Sequence, residues 1–117
     1  MADPDTTLHS GTETQSGTSI PFGIPNNQIV GVFVNVSAVT GILPLLTVTV
    51  QQSPNGTDWY DIPNSSGILS LANMNTVGLY SVFPPTGSTC CDDVQCVWTI
   101  SGDKTTSFTF TVDLITY

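Results

Sequence analysis

Val30-Gly-Val-Phe-Val-Asn-Val-Ser-Ala38 is the stretch that decides the fold. Val30, Val32, Val34, Val36 and Ala38 alternate with Gly31, Phe33, Asn35 and Ser37. A period of two puts one set of side chains on each face of an extended strand, whereas a helix would repeat its apolar positions every three or four residues. The same alternation returns at the end of the chain, where Phe108, Phe110, Val112 and Leu114 face one way and Thr109, Thr111, Asp113 and Ile115 the other.

Working outward, Gly41 to Pro44 turns the chain, and Leu46, Val48 and Val50 alternate with Thr47, Thr49 and Gln51 in a second strand. Ser53-Pro-Asn-Gly56 is turn chemistry, with an Asn-Gly pair suited to positive φ. Further strands are expected over residues 57–62, 68–72, 77–83, 95–101 and 107–116, the last two forming a hairpin around Gly102. Ile20-Pro-Phe-Gly-Ile-Pro-Asn-Asn27 is an entry segment. Its prolines and glycine exclude a central strand, while Phe22 and Ile24 anchor it to the core. Residues 1–19 hold a single large apolar side chain, Leu8, and read as a polar arm that is either unstructured or ordered on a neighbouring subunit. The expected class is all-β, a β-sandwich or jelly roll of about seven or eight short antiparallel strands. The arm takes residues 1–25 and the sandwich domain residues 26–117. One domain suits the length of 117 residues.

Charge narrows the function. Nine acids face one base, Lys104, for a formal net charge of −8. Nucleic acids and anionic membrane surfaces are recognised mainly through Lys and Arg, so neither is an expected partner. Only 9% of the residues are charged. The exterior must then be Ser, Thr, Asn and Gln, which desolvate more cheaply than ions and suit packing against protein or carbohydrate. Residues 1–19 lack the basic region and apolar stretch of a secretory signal, and no apolar run reaches the ~20 residues of a membrane-spanning helix. Synthesis in a cytoplasm is the expectation.

No grouping suits catalysis. His9 is the single histidine and lies in the polar arm, where a solvated role is expected. Asp58 and Asp61 flank Trp59 and Tyr60, a mixture able to line a sugar site, but one also explained by a turn cap and a strand end. Asp92 and Asp93 read as solvated turn residues. Cys90, Cys91 and Cys96 leave three readings: a disulfide from Cys96 back to Cys90 or Cys91, free thiols with Cys96 partly buried, or a metal site needing aspartates or a second subunit. The Asn-x-Ser/Thr triplets at Asn35, Asn55 and Asn64 are at chance level in so Asn-, Ser- and Thr-rich a chain. No catalytic residue, cofactor or metal is expected, and the chain reads as a non-enzyme.

Two stretches carry a resemblance. Thr47-Val-Thr-Val-Gln-Gln-Ser-Pro-Asn-Gly-Thr-Asp-Trp-Tyr-Asp61 resembles a strand–turn–strand unit of small structural proteins of tailed bacteriophages, and Val97-Trp-Thr-Ile-Ser-Gly-Asp-Lys-Thr-Thr-Ser-Phe-Thr-Phe-Thr-Val112 resembles their closing hairpin. The chain departs from them where Gln95 and Cys96 replace a usual basic residue. The resemblance implies a virion β-sandwich of the capsid cement, or decoration, type. It would sit on the outer capsid surface as a homotrimer and bind the major capsid protein, after synthesis in the cytoplasm of a host bacterium. Leu8, Ile20, Phe22 and Ile24 are the residues expected to make those contacts. The alternative is a tail or head-fibre adhesion module for host glycans, whose sign would be exposed rings at Trp59, Tyr60, Tyr80 or Trp98.

Overall fold

A computed structural model of the chain describes residues 3–24, 29–64, 67–85 and 93–116. Among them there is no helix, and two antiparallel sheets pack as a sandwich. In chain order the strands are β1 (Asp3–Glu13), β2 (Gly17–Thr18), β3 (Phe22–Gly23), β4 (Ile29–Thr40), β5 (Leu45–Ser53) and β6 (Tyr60–Asp61). They continue with β7 (Pro63–Asn64), β8 (Gly67–Ile68), β9 (Ser70–Met74), β10 (Gly78–Val82), β11 (Asp93–Ser101) and β12 (Ser107–Thr116). One sheet runs β1-β12-β4-β10. The other runs β2-β11-β5-β6, with β3 also on β11 and β9 also on β5. The small hairpin β7-β8 stands apart from both.

The core is what the alternation predicts. Val32, Val34 and Val36 from β4 meet Phe108, Phe110, Val112 and Leu114 from β12, and Leu46, Val48, Val50, Val94 and Cys96 close the layer from the opposite sheet. Two sheets whose inner faces interdigitate in this way stack about 10 Å apart. The register of β4 on β12 runs from Ser107 opposite Thr40 to Thr116 opposite Ile29, with shifts between Thr109 and Phe110 and between Ile115 and Thr116.

The largest departure from the sequence reading is at the N-terminus. Residues 3–13 are no free arm: β1 pairs along β12 from Asp3 opposite Thr116 to Glu13 opposite Phe108. Backbone hydrogen bonds need no apolar side chains, so a strand that is mostly Thr, Ser and Gly leaves little hydropathic trace. A register shift between Thr7 and His9 leaves Leu8 as an extra residue. Such a bulge re-aims its side chains, and both Leu8 and His9 come inward. On the outer face a Thr7 hydroxyl donates to the Asp113 carboxylate at 2.6 Å, and the hydroxyls of Thr12 and Thr109 share a hydrogen bond at 2.7 Å. Cross-strand pairs of this kind support the edge.

Two smaller differences concern short segments. Of residues 57–62 only Tyr60 and Asp61 pair as a strand. The turn before them consumes the rest: the Ser53 hydroxyl accepts the amides of Asn55 and Gly56, and the Asn55 side-chain Oδ1 accepts those of Thr57 and Asp58. The strand expected over 68–72 is shifted to β9, because Leu69 is committed by backbone bonds to Ile62 and Val50.

Because β1 covers one flank of the core, deleting residues 1–13 is expected to lower the melting temperature sharply and to raise binding of a hydrophobic dye. Thermal denaturation followed by circular dichroism checks this. A truncated chain melting like the full one would mean that β1 is dispensable.

Candidate interaction surface

The residues expected to meet a partner split into two groups. Leu8 and Ile24 are buried in this chain's own core, so they are structural here rather than available. Phe22 is half-buried against the core, on the strand that pairs with β11. Ile20 is the one that faces solvent, at 71% exposure. Leu8, Phe22 and Ile24 go inward because β1, β2 and β3 are tied to β12 and β11 by backbone pairing.

The flank they close is built around Trp98. Its ring lies 4.4 Å from the His9 imidazole and 5.9 Å from the Phe110 ring, and its indole N–H donates to the Gln15 carbonyl at 3.0 Å. His9 also stacks on Phe110 at 4.4 Å. A Cβ at Gly17 would lie 2.7 Å from the indole, so only glycine lets the chain pass this close. His9 is therefore not solvated as the sequence suggested. Its side chain is 9% exposed, and its Nε2 has no hydrogen-bond partner, with the Glu13 carboxylate 3.6 Å away. Burial lowers the His9 pKa, against smaller opposing effects from Glu13 and the Gly11 backbone. A histidine held below its ordinary 6.5 is protonated more readily in the unfolded chain. Its contribution to stability is therefore present above that value and is lost as pH falls through it.

Of the aromatic residues that would mark a sugar site, Trp98 is buried, Trp59 is half-buried, and Tyr80 is half-buried with its hydroxyl donating to the Thr76 carbonyl at 2.9 Å. Tyr60 is exposed. On the outer face of the second sheet the Gln95 amide donates to Gln51 at 3.0 Å, and the Gln51 amide donates to the Asp61 carboxylate at 3.1 Å. Asp58 accepts from the Asn55 side-chain amide at 2.9 Å and so holds a turn.

Cys96 carries a free thiol, fully buried on the inner face of β11, which is the reading of the three that left the thiols free. Cys90, Cys91 and Asp92 lie outside the described residues. Burial pushes the Cys96 thiol up to about 11. Among the described residues no three His, Cys, Asp or Glu side chains gather as a metal would require.

A feature missed in the sequence lies at the end of the sandwich where β4 passes to β5. Ile42 is 68% exposed and Leu43 83% exposed, and Leu43 adopts φ +51°. That left-handed conformation costs a bulky residue on the order of 1–2 kcal/mol. The loop is held by Asp103, whose Oδ1 accepts the Ile42 amide at 3.1 Å and the Thr105 hydroxyl at 2.8 Å. These bonds, the Ile42 amide first, keep the Asp103 carboxyl below the usual carboxylate range. Gly41 and Gly102, both at positive φ, sit against Thr106 with no room for a Cβ. Beside the loop, Leu43, Pro44, Leu45 and Asn75 line a recess of about 410 Å³. The available signal was two large aliphatic residues between Gly41 and Pro44, where turn chemistry alone asks for none.

The sequence matches no protein-family profile and no curated protein. The fold has structural neighbours. The SPBc2 prophage-derived protein YomS superposes with a TM-score of 0.54 at 12% identity, over 99% of this chain and 96% of that one. Xylanase10C from Cellvibrio japonicus superposes with a TM-score of 0.51 at 12% identity, over 97% of this chain but 23% of the xylanase. A low-affinity xylan-binding module from Roseburia intestinalis aligns at a TM-score of 0.46 and 15% identity, over 100% of this chain and 86% of the module. At these identities the likeness is one of fold.

Two measurements follow. Replacing His9 with Phe keeps a ring between Trp98 and Phe110 but removes the titration. The stability of His9→Phe relative to the native chain is expected to rise as pH is lowered from neutral through the histidine range, by denaturant titration at each pH. In a Cys90→Ser, Cys91→Ser background, Cys96 is expected to resist a thiol reagent at neutral pH until the chain is unfolded, since the thiolate is the reactive form.

Proposed function

We propose that the chain is a phage capsid cement protein, which binds the major capsid protein on the outer surface of the virion and stabilises the expanded shell by bridging capsomers. The observation that carries this reading is the outer face of the β1-β12-β4-β10 sheet. Thr12, Thr109 and Ala38, then Ser10, Thr111, Asn35 and the exposed Leu79, then Thr7, Asp113, Phe33 and Ser81 stand in cross-strand rows. Asp113 is the one charge in these rows, and it is hydrogen-bonded to Thr7. A broad, low-charge, hydroxyl-rich sheet face desolvates cheaply and suits apposition to another protein surface rather than enclosure of a substrate. The resemblance of the 47–61 and 97–112 segments to phage structural proteins supports the same reading, as does likeness along its whole length to a prophage-derived protein.

The mechanism is linkage. A protein that binds only the expanded shell stabilises that shell by mass action, and many copies add their effects. No catalytic role is assigned: His9 is wedged between two rings, and Asp58 and Asp61 are engaged by Asn55 and Gln51.

One observation favours a second reading, a glycan-binding module. Tyr60 is exposed on the short strand that brings Asp61 to Gln51, and the fold is shared with part of a xylanase. Purified phage shells stripped of this protein are expected to rebind it at a copy number set by the lattice and to disassemble at a higher temperature. A chain that ignores shells but binds an oligosaccharide in calorimetry, and loses that binding in Tyr60→Ala, would replace the cement reading with the second one.

A further inference from the structure

Four chain passages meet at one end of the sandwich: residues 14–16, 41–44, 75–77 and 102–106. This end is distinct in two ways. It exposes Ile42, Leu43 and Val77, the last at 63%. Its loops carry one acid, Asp103, and the chain's single base, Lys104, and Glu13 ends β1 at the same end, opposite Phe108. The opposite end is acidic. Strand register places Asp3 beside Thr116 and Asp93 beside Ser53, with Asp61 opposite Gln51 and Asp58 in the turn after Ser53. The strands between the two ends are on the order of 35 Å long, at ~3.3 Å per residue. That is several times the screening length of about 8 Å at physiological salt.

We infer that the Ile42–Leu43 end is a self-association surface whose partner is the same end of a second copy of this chain. Two observations select that partner. The surface holds both halves of a contact, since the projecting Ile42–Leu43 ridge lies beside the recess lined by Leu43, Pro44, Leu45 and Asn75. A projecting ridge beside a recess on one molecule allows copies to engage one another with closed symmetry. Charge then fixes which ends meet. Copies of formal charge −8 repel least with their more acidic ends pointing apart, and joining through the Ile42–Leu43 end, where Glu13 and Asp103 stand with Lys104, keeps Asp3, Asp58, Asp61 and Asp93 far from the contact. The conformation of Leu43 supports the assignment. A leucine held at φ +51° by the Asp103 bonds, yet mostly in solvent, gains nothing from its own core, so the loop is set in shape before a partner arrives.

Sedimentation velocity of the full chain over a wide range of concentration, at low and high salt, tests the inference. Association is expected, and salt is expected to strengthen it by screening the acidic ends. Leu43→Asp is expected to weaken association by about tenfold or more, the effect of ~1.4 kcal/mol. Leu43→Asn, which tolerates the left-handed backbone, is expected to weaken it while melting at or above the native temperature. Leu79→Lys, on the exposed edge of β10, is expected to leave it unchanged. A chain that stays monomeric throughout, a Leu43→Asn protein that folds and associates like the native one, or association abolished by Leu79→Lys alone would overturn the inference. The outcome is separable from the cement reading. A monomer that binds shells overturns only the self-association surface, and an oligomer that ignores shells overturns only the cement reading.

Discussion

Trp98 holds the two sheets together along one flank, and much of the N-terminal third is arranged around it. The indole belongs to β11, in the sheet opposite β1 and β12, yet it packs on His9 and Phe110 from those two strands. Its N–H is satisfied by the Gln15 carbonyl, and Gly17 makes way for its ring. A sandwich open on this side would leave aromatic surface in water and an indole N–H without its protein partner. The polar segment that looks dispensable in hydropathy is thus the element that covers the core. Ser16 and Ser19 extend the tie, their hydroxyls accepting the backbone amides of Ile100 and Cys96.

With the flank closed, the functional surface must lie on the outer faces and the ends. On one sheet Thr7 bonds Asp113 and Thr12 bonds Thr109, and on the other the amides of Gln95 and Gln51 bond along a row to Asp61. These faces present a flat exterior with few ions to desolvate. The two ends differ more than the two faces do. One collects carboxylates; the other projects aliphatic side chains on a loop held by Asp103. Under the proposed cement role the protein would have to meet both a shell and its own copies, and a body polarised in this way can separate those two tasks between its faces and one end.

The burial of His9 and Cys96 shows how context resets side-chain chemistry. In the sequence His9 reads as a solvated base, while Cys96 is left between a disulfide, a partly buried free thiol and a metal ligand. In the fold both lose water, and burial moves each pKa toward its neutral form, downward for the imidazole and upward for the thiol. Neither then has the exposure that reactive chemistry needs.

Alternating side chains along β4, β5, β11 and β12 made the all-β class and most of the core legible without coordinates. The period of an extended chain is local, and each of these strands has an apolar face. With Lys104 as the single Lys or Arg, composition alone likewise made nucleic acid an unexpected partner. What only the tertiary structure decided is where backbone pairing overrides hydropathy. β1 joins β12 through amides and carbonyls that every residue carries, so a Thr-rich strand and a Thr-rich tail look alike until a free edge is available to pair with. The exposure of Ile42 and Leu43 is likewise a property of three dimensions, because Asp103, sixty-one residues away from Ile42, holds that loop in place.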